Sequence, residues 1–187
     1  ENSGGLRGLK YGITKNYVQG LEVVLANGDI IHTGGKNVKD VSGYDMTKLF
    51  TGSEGTFGIV TKALLKLLPA PEATKSMIAV FDSIDDAGKA VSGIIAAKII
   101  PATLEILDNA TIRTVEDFTH VGLPVDADAI LLIEVDGNPV VVEDEKAKVL
   151  EVLKANNARE VTLAKSAEHK AQLWTARRMA LPCLAKL

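Results

Sequence analysis

Cysteine and histidine are scarce in this chain of 187 residues, and each scarcity closes off a class of chemistry. Cys183 is the sole cysteine, so no internal disulfide can form and a cysteine-rich metal site is excluded. The 3 histidines, His32, His120 and His169, are far apart. They show neither HxxxH nor HExxH spacing, which argues against a zinc centre. No apolar run reaches the ~18 residues that a membrane-spanning helix needs. A basic excess is missing too: the formal net charge is −3 and the isoelectric point about 5.7. Nucleic acid is bound through clustered Lys and Arg, and the adjacent Arg177 and Arg178 make no such patch. What is present is a hydrophobic fraction of 47% beside 24% charge, the composition of a packed globular core. The length suits one ordinary domain or two small ones.

Punctuation along the chain favours two. "GLEVVLANGDIIHT" (Gly20–Thr33) reads as a β-hairpin about Asn27-Gly28, a pair suited to a two-residue type I′ turn. "GYDMTKLF" (Gly43–Phe50) is a short helix capped by Asp45 and anchored by Leu49 and Phe50. "IVTKALLKLLP" (Ile59–Pro69) has the partly β-branched look of a strand, and "PAPEATK" after it is the best domain boundary. Residues 1–71 and 72–187 are therefore treated as separate domains. In the second, strands at Lys75–Phe81, Ala102–Asp108, Ala129–Gly137 and Arg159–Ala164 alternate with helices. Ser83 with Asp86 resembles a capping box for the first helix, and Ser166 caps the last. An α+β fold results, with a ferredoxin-like sandwich over the second domain.

Two glycine-rich loops lie within the first 60 positions, "SGG" at Ser3–Gly5 and "GSEGTFG" at Gly52–Gly58. Without a Cβ, glycine lets backbone N–H groups approach an anion closely, and a diphosphate needs several such donors. Each loop alone reads first as a tight turn. Standard phosphate motifs are absent. "GGK" at Gly34–Lys36 lacks its upstream glycine, where Ile30 stands, and has Asn37 in place of Ser or Thr. No GxGxxG joins a strand to a helix, so a Rossmann site is not supported.

The order of the pieces is more specific than any one of them. "ENSGGLRGLKYG", "VQGLEVVLANGDII" and "GYDMTKLFTGSEGTFGIVTKALLKLLPAP" resemble the FAD-linked oxidases of the vanillyl-alcohol-oxidase-like, PCMH-type flavoprotein superfamily. Within it the resemblance is to the group of glycolate oxidase FAD-linked subunits, D-lactate dehydrogenases and D-2-hydroxyglutarate dehydrogenases. It continues through "IIPATLEILDNATIRTVEDF" to "LWTARRMALP" and covers essentially the whole chain. The resemblance implies the second half of a PCMH-type FAD-binding domain followed by the first part of a substrate-covering cap. On that reading the chain is the middle of a longer protein, inactive alone and poor at retaining FAD. The cofactor implied is FAD. The reaction implied is oxidation of a small 2-hydroxy acid, glycolate or D-lactate, by hydride transfer to the flavin. The alternative is a non-catalytic flavin-binding or assembly subunit of a multi-subunit dehydrogenase. An iron–sulfur or other electron-accepting subunit is the implied partner, and the implied location is cytoplasmic, with any membrane association through partner subunits. Self-association of the chain is a further expectation.

Carried over residue by residue, the resemblance lays Ser3, Gly4 and Gly5 against the flavin and its diphosphate, with Tyr11 and Gly12 in the same segment. Glu54, Gly55 and Gly58 belong to the second loop, and Ile59 and Val60 begin the strand beside the cofactor. A carboxylate repels phosphate, so Glu54 either accepts from a ribose hydroxyl or braces its loop. Lys10 either pairs with phosphate or faces water. Tyr44 is read as packing rather than catalysis. Arg177 stands three residues after Trp174, the spacing at which 2-hydroxyglutarate-type relatives hold a substrate carboxylate. The plain alternative is an exposed arginine on the last helix. Leu181 stands where those relatives have a Thr, which puts a diacid preference in doubt. Arg178 faces another side of the helix. Cys183 is read as a small buried apolar residue. No catalytic base is assigned within the chain.

Overall fold

The computed structural model describes residues 1–164 and 167–185. The chain parts between Ala70 and Pro71 into two units, Glu1–Ala70 and Pro71–Leu187. In the first unit a short helix α1 (Gly8–Tyr11) and a 3₁₀ turn (Thr14–Asn16) lead into strands β1 (Val18–Val24) and β2 (Ile30–Gly34). Helix α2 (Met46–Phe50) and strand β3 (Ile59–Leu65) follow. The sheet is antiparallel in the order β2-β1-β3. Leu21 and Val23 of β1 bury one face against Phe50 of α2. Asp45 caps α2 as its position suggests, its carboxylate accepting from Lys48 N at 3.0 Å.

Three expectations for this unit are corrected. The hairpin turn is not type I′. Gly28 is left-handed (φ 89°) and Asn27 is not. Leu25 O accepts from Gly28 N, and Leu25 N donates to Asp29 O. That is a three-residue connection closed by a left-handed glycine. Asn27 instead uses its side chain, accepting from Asp29 N at 3.1 Å. Tyr44 does not pack: it is 94% exposed, and Leu49, meant as an anchor, is exposed as well. The opening glycine segment is tied to the 3₁₀ turn. Asn2 Oδ1 accepts from Lys15 N, and Ser3 O accepts from Thr14 N and Thr14 Oγ1.

Glu22, at the centre of β1, ties the sheet together crosswise. Its neighbours in register are His32 on β2 and Lys62 on β3. Its carboxylate accepts from Lys62 Nζ at 2.9 Å and Thr61 Oγ1 at 2.8 Å, and meets His32 Nε2 at 3.1 Å. Such cross-strand pairs are the unit of sheet stabilisation. The bonds from Lys62 and Thr61, with His32 after them, hold the Glu22 carboxyl at about 2, well below its usual 4.5. A depressed carboxyl stabilises the fold above the unfolded value and loses that contribution as pH falls through the folded one. The three-way tie is therefore expected to persist through mild acid and to open near pH 2. Carboxyl-carbon NMR checks this, and a Glu22 inflection near 4.5 would contradict it.

The second unit alternates strands and helices. The elements are β4 (Ala73–Phe81), α3 (Ile84–Ala96), β5 (Thr103–Asp108), α4 (Asn109–Thr119), β6 (Ala129–Gly137), α5 (Pro139–Ala155), β7 (Glu160–Leu163) and α6 (Ala167–Leu184). The antiparallel sheet has the order β5-β6-β4-β7. That is the ferredoxin-like order with α4 inserted between the second and third strands. The period-2 alternation of strand side chains feeds two layers. Met77, Ala79 and Phe81 of β4 and Leu131, Ile133 and Val135 of β6 pack under α3 and α5. Ile78, Val80, Leu107, Ile130 and Leu132 face the other way, toward Ile112 of α4 and Trp174 of α6. Cys183 is fully buried against Val115 of α4.

Side-chain caps start the helices. Asp108 accepts from Thr111 N and Asn138 from Val140 N, with Pro139 in the first turn of α5. The capping box at α3 is only half made. Ser83 accepts from Asp86 N at 3.4 Å, but the Asp86 carboxylate binds Lys89 and Asn157 instead of returning to Ser83. Ser166 lies outside the described residues.

Candidate functional site

The residues expected at a cofactor fall around two clefts of the first unit. One, of about 400 Å³, is lined by Ser3, Gly5, Tyr11 and Gly12 together with Thr14 and Leu65. The other, of about 350 Å³, is lined by Glu54, Gly55, Gly58, Ile59 and Val60, with Thr14, Leu21 and Phe50. Thr14 lines both. The two glycine loops also meet directly. A Cβ on Gly52 would stand 3.0 Å from Asn2 Cβ, and Asn2 is held by Lys15 N. Tyr11 O accepts the Tyr17 hydroxyl at 2.6 Å, which fixes the end of the first segment. β3 is an edge strand, so the side of Ile59 and Val60 away from β1 carries no strand of this sheet.

The glycines have different reasons. Gly58 answers to packing: an added Cβ would meet Val23 Cγ1 at 2.6 Å and Val24 O at 2.8 Å. Gly5 has no such reason. A Cβ there meets nothing within 4 Å, and its backbone is not left-handed. A Cβ on Gly4 would make only an ordinary contact with Ile13 at 3.5 Å. Among the described residues, neither packing nor conformation requires this glycine pair. Gly55 is left-handed in open space, and Glu54 before it also has a positive φ of 54°. The Glu54 carboxylate is largely exposed at the cleft. Lys10 lies 5.7 Å from the centre of the Tyr11 ring.

A third cleft of the same unit, about 560 Å³, was not foreseen. Lys15, Lys48, Lys66, His32 and Asp45 line it. Asp45 and Lys48 are paired at 2.8 Å.

Arg177 belongs to the second unit. Trp174 fixes the rotation of α6 by packing on the Ile78–Leu132 face of the sheet. Three residues on, Arg177 Nε donates to Glu105 Oε2 of β5 at 2.7 Å. Neither side chain is fully buried: 35% of Arg177 and 27% of Glu105 is exposed. Arg177 is thus not simply a solvated arginine. Arg178, in contrast, bonds within its own helix, to Ala171 O and Thr175 Oγ1. Leu181 is exposed. Glu105 was invisible to sequence reasoning because nothing local links residues 72 apart.

Residues 70–187 match the family described as FAD linked oxidases, C-terminal domain. The chain belongs to this FAD-linked oxidase family. Over all 187 residues it is 57% identical to glycolate oxidase subunit GlcD of Bacillus subtilis, spanning 40% of that protein. It is 34% identical over 179 residues to a probable mitochondrial D-lactate dehydrogenase of Danio rerio, covering 94% of the chain and 36% of the relative. Among solved structures, an alkyldihydroxyacetonephosphate synthase aligns with a TM-score of 0.72 at 21% identity, over 97% of this chain and 36% of that one. The α+β fold is that of the family. The chain spans well under half of these relatives.

FAD is the cofactor of FAD-linked oxidases. Gly5 and Gly55 provide the test of fit, since each lines a cleft where a Cβ would fill empty space. Backbone amides there can come close to an anionic group. The clefts fit a cofactor of this kind, with Glu54 suited to a hydroxyl rather than a phosphate. Among the described residues no helix is long and apolar enough to cross a membrane.

Proposed function

We propose that the whole protein carrying this chain is a flavin-dependent oxidoreductase acting on a small 2-hydroxy acid, glycolate or D-lactate. The observation that carries this reading is the 57% identity to a glycolate oxidase subunit over every position of the chain. Bound FAD supplies the hydride acceptor. The first unit, Glu1–Ala70, contributes the second half of the FAD site: Ser3, Gly4, Gly5, Tyr11 and Gly12 on one loop, Glu54, Gly55, Gly58, Ile59 and Val60 on the other. The second unit forms part of a substrate cap, where Arg177 takes the substrate carboxylate. A guanidinium fork matches a carboxylate in two-point contact. An electron-accepting partner subunit completes turnover.

Anaerobic addition of glycolate or D-lactate to the whole protein tests the reading: flavin absorbance should bleach with at least one of them. Yellow colour that persists with both overturns it in favour of a flavin-binding assembly subunit. The cofactor loops are tested separately with Gly5→Val. Because the added Cβ meets nothing within 4 Å, folding stability should change little. Retention of FAD should weaken about tenfold, roughly 1.4 kcal/mol. Unchanged flavin content would remove Gly5 from the site.

A further inference from the structure

We infer that Glu105 is a positioning residue for Arg177, orienting its guanidinium to receive a substrate carboxylate; this rests on the reading of Arg177 as the carboxylate clamp. The inference starts from how the pair is made. Glu105 takes the Nε–H of Arg177 at 2.7 Å, and among the described residues no protein group takes an Nη. Arginine pairs built for bracing commonly use two parallel bonds. Here a single bond at the inner nitrogen fixes the plane of the fork and leaves both Nη groups to bind something else.

The surroundings agree with that division. Glu105 sits on β5, at the edge of the sheet, opposite Leu132 of β6. The strand backbone holds it rigidly. Trp174, on the same helix as Arg177, is seated in the apolar cluster of Ile78, Val80, Leu107, Ile112, Ile130 and Leu132. The stem of Arg177 therefore leaves a fixed helix and its head meets a fixed strand. About a third of Arg177 remains exposed, so a ligand can approach. A long, flexible side chain loses rotamer freedom when it grips a ligand, and prior orientation removes part of that cost.

The test uses the whole flavoprotein, with oxalate as a carboxylate probe beside the 2-hydroxy acid. Glu105→Leu removes the acceptor. It should raise KM and the oxalate inhibition constant about tenfold, with kcat changed less than about threefold and flavin content intact. Glu105→Gln keeps an oxygen for Nε and should restore both values to within about threefold. Arg177→Met should raise both about 100-fold, and adding Glu105→Leu to it should cost less than about twofold more. A lowered melting temperature for Glu105→Leu with unchanged KM and oxalate affinity would make the pair a mere brace and overturn the inference. An Arg177→Met variant that binds oxalate normally would instead remove the clamp itself.

Discussion

Replacing Gly34 by alanine is expected to destabilise the Glu1–Ala70 unit by about 3 kcal/mol, a fall of roughly 15 °C in melting temperature for a unit of this size. Two costs add. Gly34 is left-handed, with φ +64°, a region that an L side chain enters at about 1 kcal/mol. An added Cβ would also stand 2.0 Å from Gln19 O and 2.7 Å from Thr47 Oγ1. Gln19 O is part of β1, so it cannot turn aside as a side-chain tip could. Overpacking of that kind costs about 1–3 kcal/mol. Gly28→Ala is the internal control. Gly28 is also left-handed, with φ +89°, but a Cβ there meets nothing within 4 Å. It should cost about 1 kcal/mol only. The damage from Gly34→Ala reaches the second glycine loop through Thr47, which bonds Thr33 at 2.8 Å and helps seat α2 just before that loop. Amide exchange across residues 18–50 should quicken in this variant and not in Gly28→Ala. Equal melting temperatures for the two variants would show that the β1–β2 contact relaxes freely.

Phe81→Ala should cost the second unit about 3–5 kcal/mol. Phe81 is fully buried at the end of β4, among the side chains beneath α3 and α5. Its backbone also holds the chain before β6, since Phe81 O accepts from Asp128 N at 3.0 Å. The ring leaves a void that neighbours on a continuous nine-residue pairing of β4 with β6 cannot close without breaking register. Phe81→Leu keeps most of the volume and should cost less than about 1.5 kcal/mol. Urea unfolding measures both. A loss below about 1 kcal/mol for Phe81→Ala would mean that the core collapses around the missing ring.

Much of the second unit was legible because its signals are local. Alternating apolar residues act within a few positions, and the four strands of the unit fall close to where they mark them. Exposure was less legible. Tyr44, Leu49, Ile59 and Val60 look like core by composition, yet each is exposed. Hydrophobicity says that a residue gains by burial, not which surface covers it. The turn at Asn27 was misjudged because an Asn-Gly pair fits more than one hairpin. Contacts distant in sequence left no trace at all: Glu105 with Arg177, Asn2 beside Gly52, Lys62 with Glu22. The cofactor glycines were visible as loops. Only geometry separates Gly58, required by Val23, from Gly5, which packing among the described residues does not require.

The order β5-β6-β4-β7 has a consequence during synthesis. β4 is made first in its unit, yet both strands that flank it come later. Ser76 and its partner Glu134 are 58 residues apart. At about 5–20 residues per second, β4 waits roughly 3–12 s for β6 to emerge from the ribosome. β5 waits as well, since among the described residues β6 is its one neighbour in the sheet. The apolar run "MIAVF" is thus the segment of the nascent chain most open to chaperone capture or to pairing with another copy. The arrival of β6 pairs β5 and one edge of β4 in a single event, while the other edge of β4 waits for β7; translational pauses before Ala129 would lengthen that window.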